Sequence, residues 1–277
     1  MAEVYGTFES FLNGSLTGQP IECLIVPCTS TGRVAQMAAD LLVYNSGRNS
    51  ALLGHITDLE SFVLPVVSAD PFEDEQHSKR LCTPVEVFAL NREKTIVVLQ
   101  FRSAVIRHHQ AEFFEFFTSV LQKVPPKLLL CLTSCSPSLH CYDWTVEAEK
   151  TRPTIPQCTH TDSVSDTMKR RLFELITADE LKPLPKLTAD ELELVTGGNF
   201  GFVDHDFRTG GVAGTLYTYC KDHSLPLITL MQLCEESPDN RTDSLVLARA
   251  CAKQLQLGGL PKHEADWKQP SYWQHTT

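Results

Sequence analysis

No stretch of this chain approaches the about 18 consecutive apolar residues of a membrane-spanning helix. Basic excess is lacking too: 24 Lys and Arg stand against 34 Asp and Glu, a formal charge of −10. That removes the electrostatic footprint of a nucleic-acid-binding protein. Residues Met1 to Phe11 have neither a basic start nor an apolar core, so no secretory signal is expected. The ten cysteines show no paired spacing. They read as free thiols of a reducing compartment, with Cys23, Cys131, Cys220 and Cys251 on core faces as small hydrophobes. No Gly-x-Gly-x-x-Gly, Walker or Gly-x-Ser-x-Gly pattern is present, so the sequence offers no standard phosphate cradle or nucleophile elbow.

What is present is the patterning of a layered α/β chain long enough for a sizeable core. Strands are expected at Ile21–Val26, Leu52–Ile56, Phe62–Val67, Val85–Leu90, Thr95–Phe101, Leu128–Leu132 and Leu227–Met231. The turn Asn91-Arg92-Glu93-Lys94 makes Val85–Leu90 and Thr95–Phe101 an antiparallel pair. Helices are expected from Ser30 or Thr31 to Tyr44, from Ala111 to Lys123, after Gly210-Gly211, and from Asp239 or Asn240 to about Leu255. Gly32, Gly210, Gly211 and Gly214 are read as structural turn residues. The apolar runs suit a mostly parallel central sheet with helices on both faces. Residues 1–277 are expected to form a single α/β domain, with an irregular Pro/Ser/Thr-rich and then acidic excursion at about 138–203 and a polar tail at 267–277.

Few residues carry chemistry. Ser134, Cys135 or Ser136 at a strand end, with His140 and Cys141 following, suggests a nucleophile, and Cys131, Cys135, His140 and Cys141 suggest a zinc site, but the spacings match no elbow or knuckle. The expectation is no catalytic residue, no metal and no cofactor. Asp204-His205-Asp206 is read as loop or edge strand rather than metal ligand, because consecutive strand residues point to opposite faces. Arg102 and Arg107, just past a strand end, either bind an anion or pair with the excess acids; pairing is preferred. Phe113, Phe114, Phe116 and Phe117 form a face wide enough to serve both core and a partner, so Phe113, Phe114 and Phe117 are candidate partner-binding residues. Tyr272 and Trp273 in the tail are candidates for the same role, whereas Trp267 is expected to pack on its own domain.

Three stretches, in order, resemble the proteasome assembly chaperone 2 family. Thr31-Gly32-Arg33-Val34-Ala35-Gln36-Met37-Ala38-Ala39-Asp40-Leu41-Leu42 is similar to its first helix. Val85 to Phe88 and Val97 to Ser103 are similar to its central strand pair. Gly210-Gly211, Leu216-Tyr217, Leu225-Pro226-Leu227-Ile228, Pro238-Asp239 and an Ala-rich helix are similar to its carboxyl half. The resemblance implies a three-layer fold like that of nucleoside phosphorylases without their catalytic site. It also implies a non-enzymatic subunit, in cytoplasm and nucleus, that pairs with proteasome assembly chaperone 1. Such a pair binds 20S proteasome α subunits, promotes α-ring assembly and prevents off-pathway α-ring dimers. Chaperones of this group reach the α-ring through a hydrophobic–Tyr–any ending; this chain ends Gln274-His275-Thr276-Thr277 instead. The alternative is a phosphorylase- or hydrolase-type enzyme on the same fold, its anion cradle formed by Gly32, Arg33, Gly210, Gly211 and Gly214.

Overall fold

A computed structural model describes residues 4–15, 18–28, 30–66, 68–69, 81–136, 155–183, 211–235, 237 and 240–269. By its contacts the chain divides into two compact units, and each is described by itself.

The first unit comprises Met1–Thr29, Gln36–Lys127 and Gln256–Thr277. In chain order it carries β1 (Tyr5–Gly6), α1 (Phe8–Leu12), β2 (Cys23–Pro27), most of α2 (Val34–Asn45), β3 (Ala51–Ile56), the short pair β4 (Ser68–Ala69) and β5 (Leu81–Cys82), β6 (Val85–Ala89), β7 (Ile96–Phe101) and α3 (Gln110–Lys123). Its strands lie in the order β1-β3-β6-β7-β2. β1 runs parallel to β3 and β2 parallel to β7, while β6 is antiparallel to both its neighbours. Every residue of β2 and β6 is buried, so both faces are covered, and their near-continuous apolar runs follow from that. The β6–β7 turn is made by Asn91, whose side-chain oxygen accepts from the amides of Thr95 and Ile96 at 3.0 Å each. Helix α1 is only five residues long and would not persist alone. It is held because Phe8 and Phe11 are fully buried, and because the Asp58 carboxylate accepts from the Phe8 amide at its open N-terminus.

The second unit comprises Ser30–Ala35 and Leu128–Leu255. It carries β8 (Leu128–Cys135), β9 (Gln157–His160), α4 (Asp166–Thr177), β10 (Lys182–Pro183), α5 (Gly211–Asp222), β11 (Leu227–Leu233) and α6 (Arg241–Leu255). The strand order is β8-β11-β9-β10; β8 and β11 are parallel, as are β9 and β10, and β9 is antiparallel to β11. β8 and β11 are buried at every position. The mostly parallel strands with helices make this the α/β fold that the sequence implies.

Three expectations need correcting. The strand expected at Phe62–Val67 does not form over its described residues, 62–66. Glu60–Phe62 is a 3₁₀ turn, and Val63 makes only an isolated bridge to Val105, because the Leu64 carbonyl that would continue the ladder accepts instead from the Ser103 hydroxyl. The irregular excursion does not hold for residues 157–160 and 166–177, which are β9 and α4. Gly214 is not a turn residue; it lies inside α5, which Gly211 begins. Gly32, by contrast, is a turn of the kind expected. Its φ of 62° lies in the left-handed region, and a Cβ there would overlap the amide of Asn240.

Candidate functional site

The residues that carry the resemblance in the first helix and the strand pair meet in one buried cluster of the first unit. β6 and β7 are antiparallel with Glu86 opposite Gln100, so these two side chains share a face. Arg102 follows β7, and its amide donates to the Pro84 carbonyl at 2.9 Å. Its guanidinium Nε donates to Glu86 Oε2 at 2.8 Å, and its Nη1 donates to Asp40 Oδ1, from α2. Gln100 Nε2 donates to the same Asp40 oxygen and to the Gln36 carbonyl, both at 2.9 Å. Gln36 and Asp40 stand four residues apart, on one face of α2. The ring of Phe88 lies 5.9 Å from the guanidinium carbon and closes the cluster on one side.

The chemistry of this cluster is attachment. Glu86 is wholly buried, and the Arg102 and Asp40 side chains keep only 8% and 10% of their exposure. Burial pushes the Asp40 carboxyl upward, against the pull of the Arg102 charge and of the hydrogen bonds from Arg102 and Gln100. Burial works to lower Arg102, but Asp40 and then Glu86 outweigh it and hold the guanidinium well above its ordinary value. Arg102 Nη2, Gln100 Oε1 and Gln36 Oε1 are also sealed from solvent. The charges that could act on a substrate are thus spent in tying α2 to the β6–β7 pair. The preferred reading of Arg102, as a partner of the acids, is the one the structure shows.

A pH dependence follows from Asp40. A carboxyl raised in the folded state binds its proton more tightly there than in the unfolded chain. Its contribution is therefore most favourable below the ordinary Asp range of about 3.9 and declines as pH rises through the raised value. Asp40→Asn keeps an oxygen for Gln100 and Arg102 but cannot ionise. Its stability relative to the parent chain is expected to improve as pH rises from about 4. Urea unfolding of both chains at several pH values checks this; a constant difference would contradict it.

The second unit holds the residues suspected of nucleophilic chemistry. Ser134 is buried, and its hydroxyl donates to the Thr31 carbonyl at 2.6 Å, with Ser30 Oγ 2.8 Å away. Neither partner is a general base. Burial, with a smaller contribution from Cys234, pushes the Cys135 thiol far up, and Met231 Sδ lies 3.6 Å from it. Burial likewise raises Cys158 and Cys220 to about 12 each. Low-pKa reactive thiols need the opposite environment.

The suspected anion cradle fares similarly. The Thr31 carbonyl accepts from Ser134 and Cys234, and the Gly32 carbonyl accepts from Asn240 Nδ2 at 3.2 Å. The Arg33 amide is used on Ser30. This turn directs carbonyls at its neighbours and leaves its amide engaged, the reverse of a phosphate cradle. Among the described residues no group of three His, Cys, Asp or Glu side chains is placed to hold a metal. No described helix is long and apolar enough to cross a membrane. His140, Cys141, the Asp204-His205-Asp206 run, Gly210, Tyr272 and Trp273 lie outside the described residues.

The aromatic face of α3 divides. Phe113 and Phe117 are 2% and 1% exposed, so they are core and cannot offer surface to a partner. Phe117 stacks on Phe8 at 4.8 Å and on Phe113 at 5.4 Å. Phe114 is half-buried and keeps a side toward solvent. Beside this helix, half-buried Phe62 and Phe116 pack at 5.7 Å, and Leu64 is 51% exposed. Nothing in the sequence marks Leu64, because Phe62–Val67 has the composition of a strand. Near the carboxyl end, Trp267 is buried and donates to the Pro261 carbonyl, while Asn45 bonds both the amide and the carbonyl of Lys268. The chain is therefore fastened down as far as Lys268.

The fold recurs in solved structures. An archaeal homologue of proteasome-assembly chaperones, PbaA of Pyrococcus furiosus, aligns with a TM-score of 0.55 over 86% of this chain and 83% of its own, at 15% identity. A Thermoplasma acidophilum protein described as of unknown function aligns at 0.58, over 95% and 88%, at 13% identity. The α/β fold is thus one shared with an archaeal proteasome-assembly chaperone homologue. No family model matches the sequence. Full-length relatives do: proteins named proteasome assembly chaperone 2 from Xenopus tropicalis and Xenopus laevis are 28% and 27% identical over 255 residues, covering 91% of this chain and 89% and 90% of their own. The Homo sapiens protein of that name is 26% identical over 257 residues, covering 90% and 89%. The chain is thus similar to proteins named proteasome assembly chaperone 2 along about nine-tenths of its length.

Proposed function

We propose that this protein is the second subunit of a heterodimeric proteasome assembly chaperone, acting in cytoplasm and nucleus. It pairs with proteasome assembly chaperone 1, binds 20S α subunits, favours α-ring assembly and shields the ring from off-pathway dimers. The observation that carries this reading is the likeness to proteins named proteasome assembly chaperone 2 across about nine-tenths of the chain. The buried cluster of Asp40, Glu86, Gln100 and Arg102 agrees with it: these charged side chains are spent on holding the fold, which suits a scaffold whose work is done by surface burial. In this reading the phosphorylase-like architecture is a platform and no cofactor is used.

The test is co-expression with proteasome assembly chaperone 1 and a set of α subunits, followed by affinity capture and mass spectrometry. The expected result is a one-to-one complex of the two chaperones that retains α subunits. Capture of the partner without any α subunit, or a solitary chain whose melting is unaffected by the partner, would overturn it. The tail gives a further expectation. In this reading residues 271–277, with Tyr272 and Trp273, supply a second contact to the α subunits beyond the well-fastened Lys268. Deleting Ser271 to Thr277 is expected to weaken α-subunit binding by about tenfold or more while sparing the heterodimer. Equal loss of both, with a lower melting temperature, would mean that the aromatics pack on their own domain.

A further inference from the structure

In the second unit β9, α4, β10 and α5 enclose a groove of about 660 Å³. One side of α4 lines it with Lys169, Leu172, Phe173 and Ile176, spaced at i, i+3, i+4 and i+7. Leu172 and Tyr217 are buried apolar lining, with Cys158 beside them. Phe173 stands 68% exposed, the largest exposure among the large hydrophobic side chains described. A lone exposed aromatic means little on a surface, but this one borders a concave apolar groove of the size that holds a bound group.

Charge is the second observation. The chain as a whole is acidic, at −10. Among the described lining residues the balance is the opposite: Lys169, Arg170 and Lys221 stand with one carboxylate, that of Asp162. Lys169 donates to the backbone carbonyl of Asp162 at 2.7 Å, which fixes the ammonium without neutralising it. Arg170 is exposed. An apolar groove with a cationic margin fits an acidic segment that carries large apolar side chains. The cations steer and orient it, and the groove around Phe173 supplies affinity. A long polyanion is disfavoured by the rest of the surface.

We propose that this groove docks a short acidic, leucine-type segment of a partner protein, with Phe173 as the apolar anchor and Arg170 and Lys169 as the charge contacts. The inference goes beyond the chaperone reading, and that reading does not depend on it. The groove is remote in sequence from both the α3 surface and the tail.

The test uses the full chain and a fluorescein-labelled synthetic peptide of alternating Glu and Leu, read by fluorescence anisotropy. Saturable binding is expected, weakening as salt is raised. Arg170→Glu and Phe173→Ala should each lower affinity by about tenfold or more. Both side chains are exposed, so melting temperatures should stay unchanged and a loss of folding can be told from a loss of docking. Equal binding of a Lys–Leu peptide would overturn the proposal as mere stickiness. So would displacement of the probe by inorganic pyrophosphate, which would indicate a small-anion site. Binding that appears only after Asp190→Asn, Glu191→Gln and Glu193→Gln are combined would assign the groove to the chain's own acidic stretch, and would overturn it too. A peptide that does not bind at all overturns it as well. The co-expression experiment is untouched by any of these outcomes, so failure here is distinguishable from failure of the chaperone reading.

Discussion

Arg102→Met is expected to lower the unfolding free energy by about 3–5 kcal/mol, because it leaves Asp40 and Glu86 buried with no cation between them. Asp40 is already pushed upward by burial even with Arg102 beside it. Without the guanidinium its charged form becomes less tolerable still, and protonation is the nearest escape. The deficit should therefore shrink at low pH, where the orphaned carboxyls take up protons. Neutralising the acids as well, by Asp40→Asn and Glu86→Gln in the same chain, should recover much of the loss. What is costly is the unpaired charge rather than the missing pair. Urea unfolding of the single and triple variants decides the matter. A single variant within about 0.5 kcal/mol of the parent, the ordinary effect of a surface change, would mean that water reaches the cluster and that Arg102 does not hold α2 to β6 and β7.

That cluster shows where sequence reading succeeds and where it stops. The apolar runs at Cys23–Pro27, Leu128–Cys135 and Leu227–Leu233 announce strands covered on both faces, and all three are buried throughout. The turn at Asn91 to Lys94 announces the β6–β7 hairpin, and with it the pairing of Glu86 with Gln100. That Arg102 meets acids is readable from the chain's composition. Which acids is not, because Asp40 lies on α2, and only the packing of that helix brings it to the hairpin. β9 is silent in the sequence because Gln157-Cys158-Thr159-His160 has no apolar run; its ladder is supplied by β11. Phe62–Val67 misleads for the converse reason. Its residues suit a strand, but Glu60–Phe62 is wound into a 3₁₀ turn and the Ser103 hydroxyl takes the Leu64 carbonyl that a ladder would use. The aromatic face of α3 has the right period, yet periodicity does not say how far round the helix the neighbours reach. Phe8 of α1, from the far end of the chain, covers Phe117.

This division of the α3 face sets up the second large effect. Phe117 is 1% exposed and lies between Phe8 and Phe113, so Phe117→Ala removes a ring on which two others pack. The expected cost is about 3–5 kcal/mol, made up of lost apolar burial and the cavity left behind. In a chain of this size that corresponds to a fall in melting temperature of roughly 6–20 °C. Helix α1 should loosen with it, since Phe8 loses its stacking partner and five residues cannot hold a helix unaided. Faster amide exchange at Phe11 and Asn13 would report this locally, because their amides close the turns of α1 onto Thr7 and Glu9. Phe114→Ala on a neighbouring position of the helix should behave differently. Its half-exposed ring makes an edge contact to Phe113 at 5.6 Å, a pair worth about 1 kcal/mol, so stability should change little. Any loss should appear instead in capture of the partner proposed above, proteasome assembly chaperone 1, together with Leu64→Ala from the exposed surface beside the helix. If Phe114→Ala and Leu64→Ala leave capture intact while Phe117→Ala abolishes it only by unfolding the chain, α3 is core alone. The partner surface must then be sought on another face.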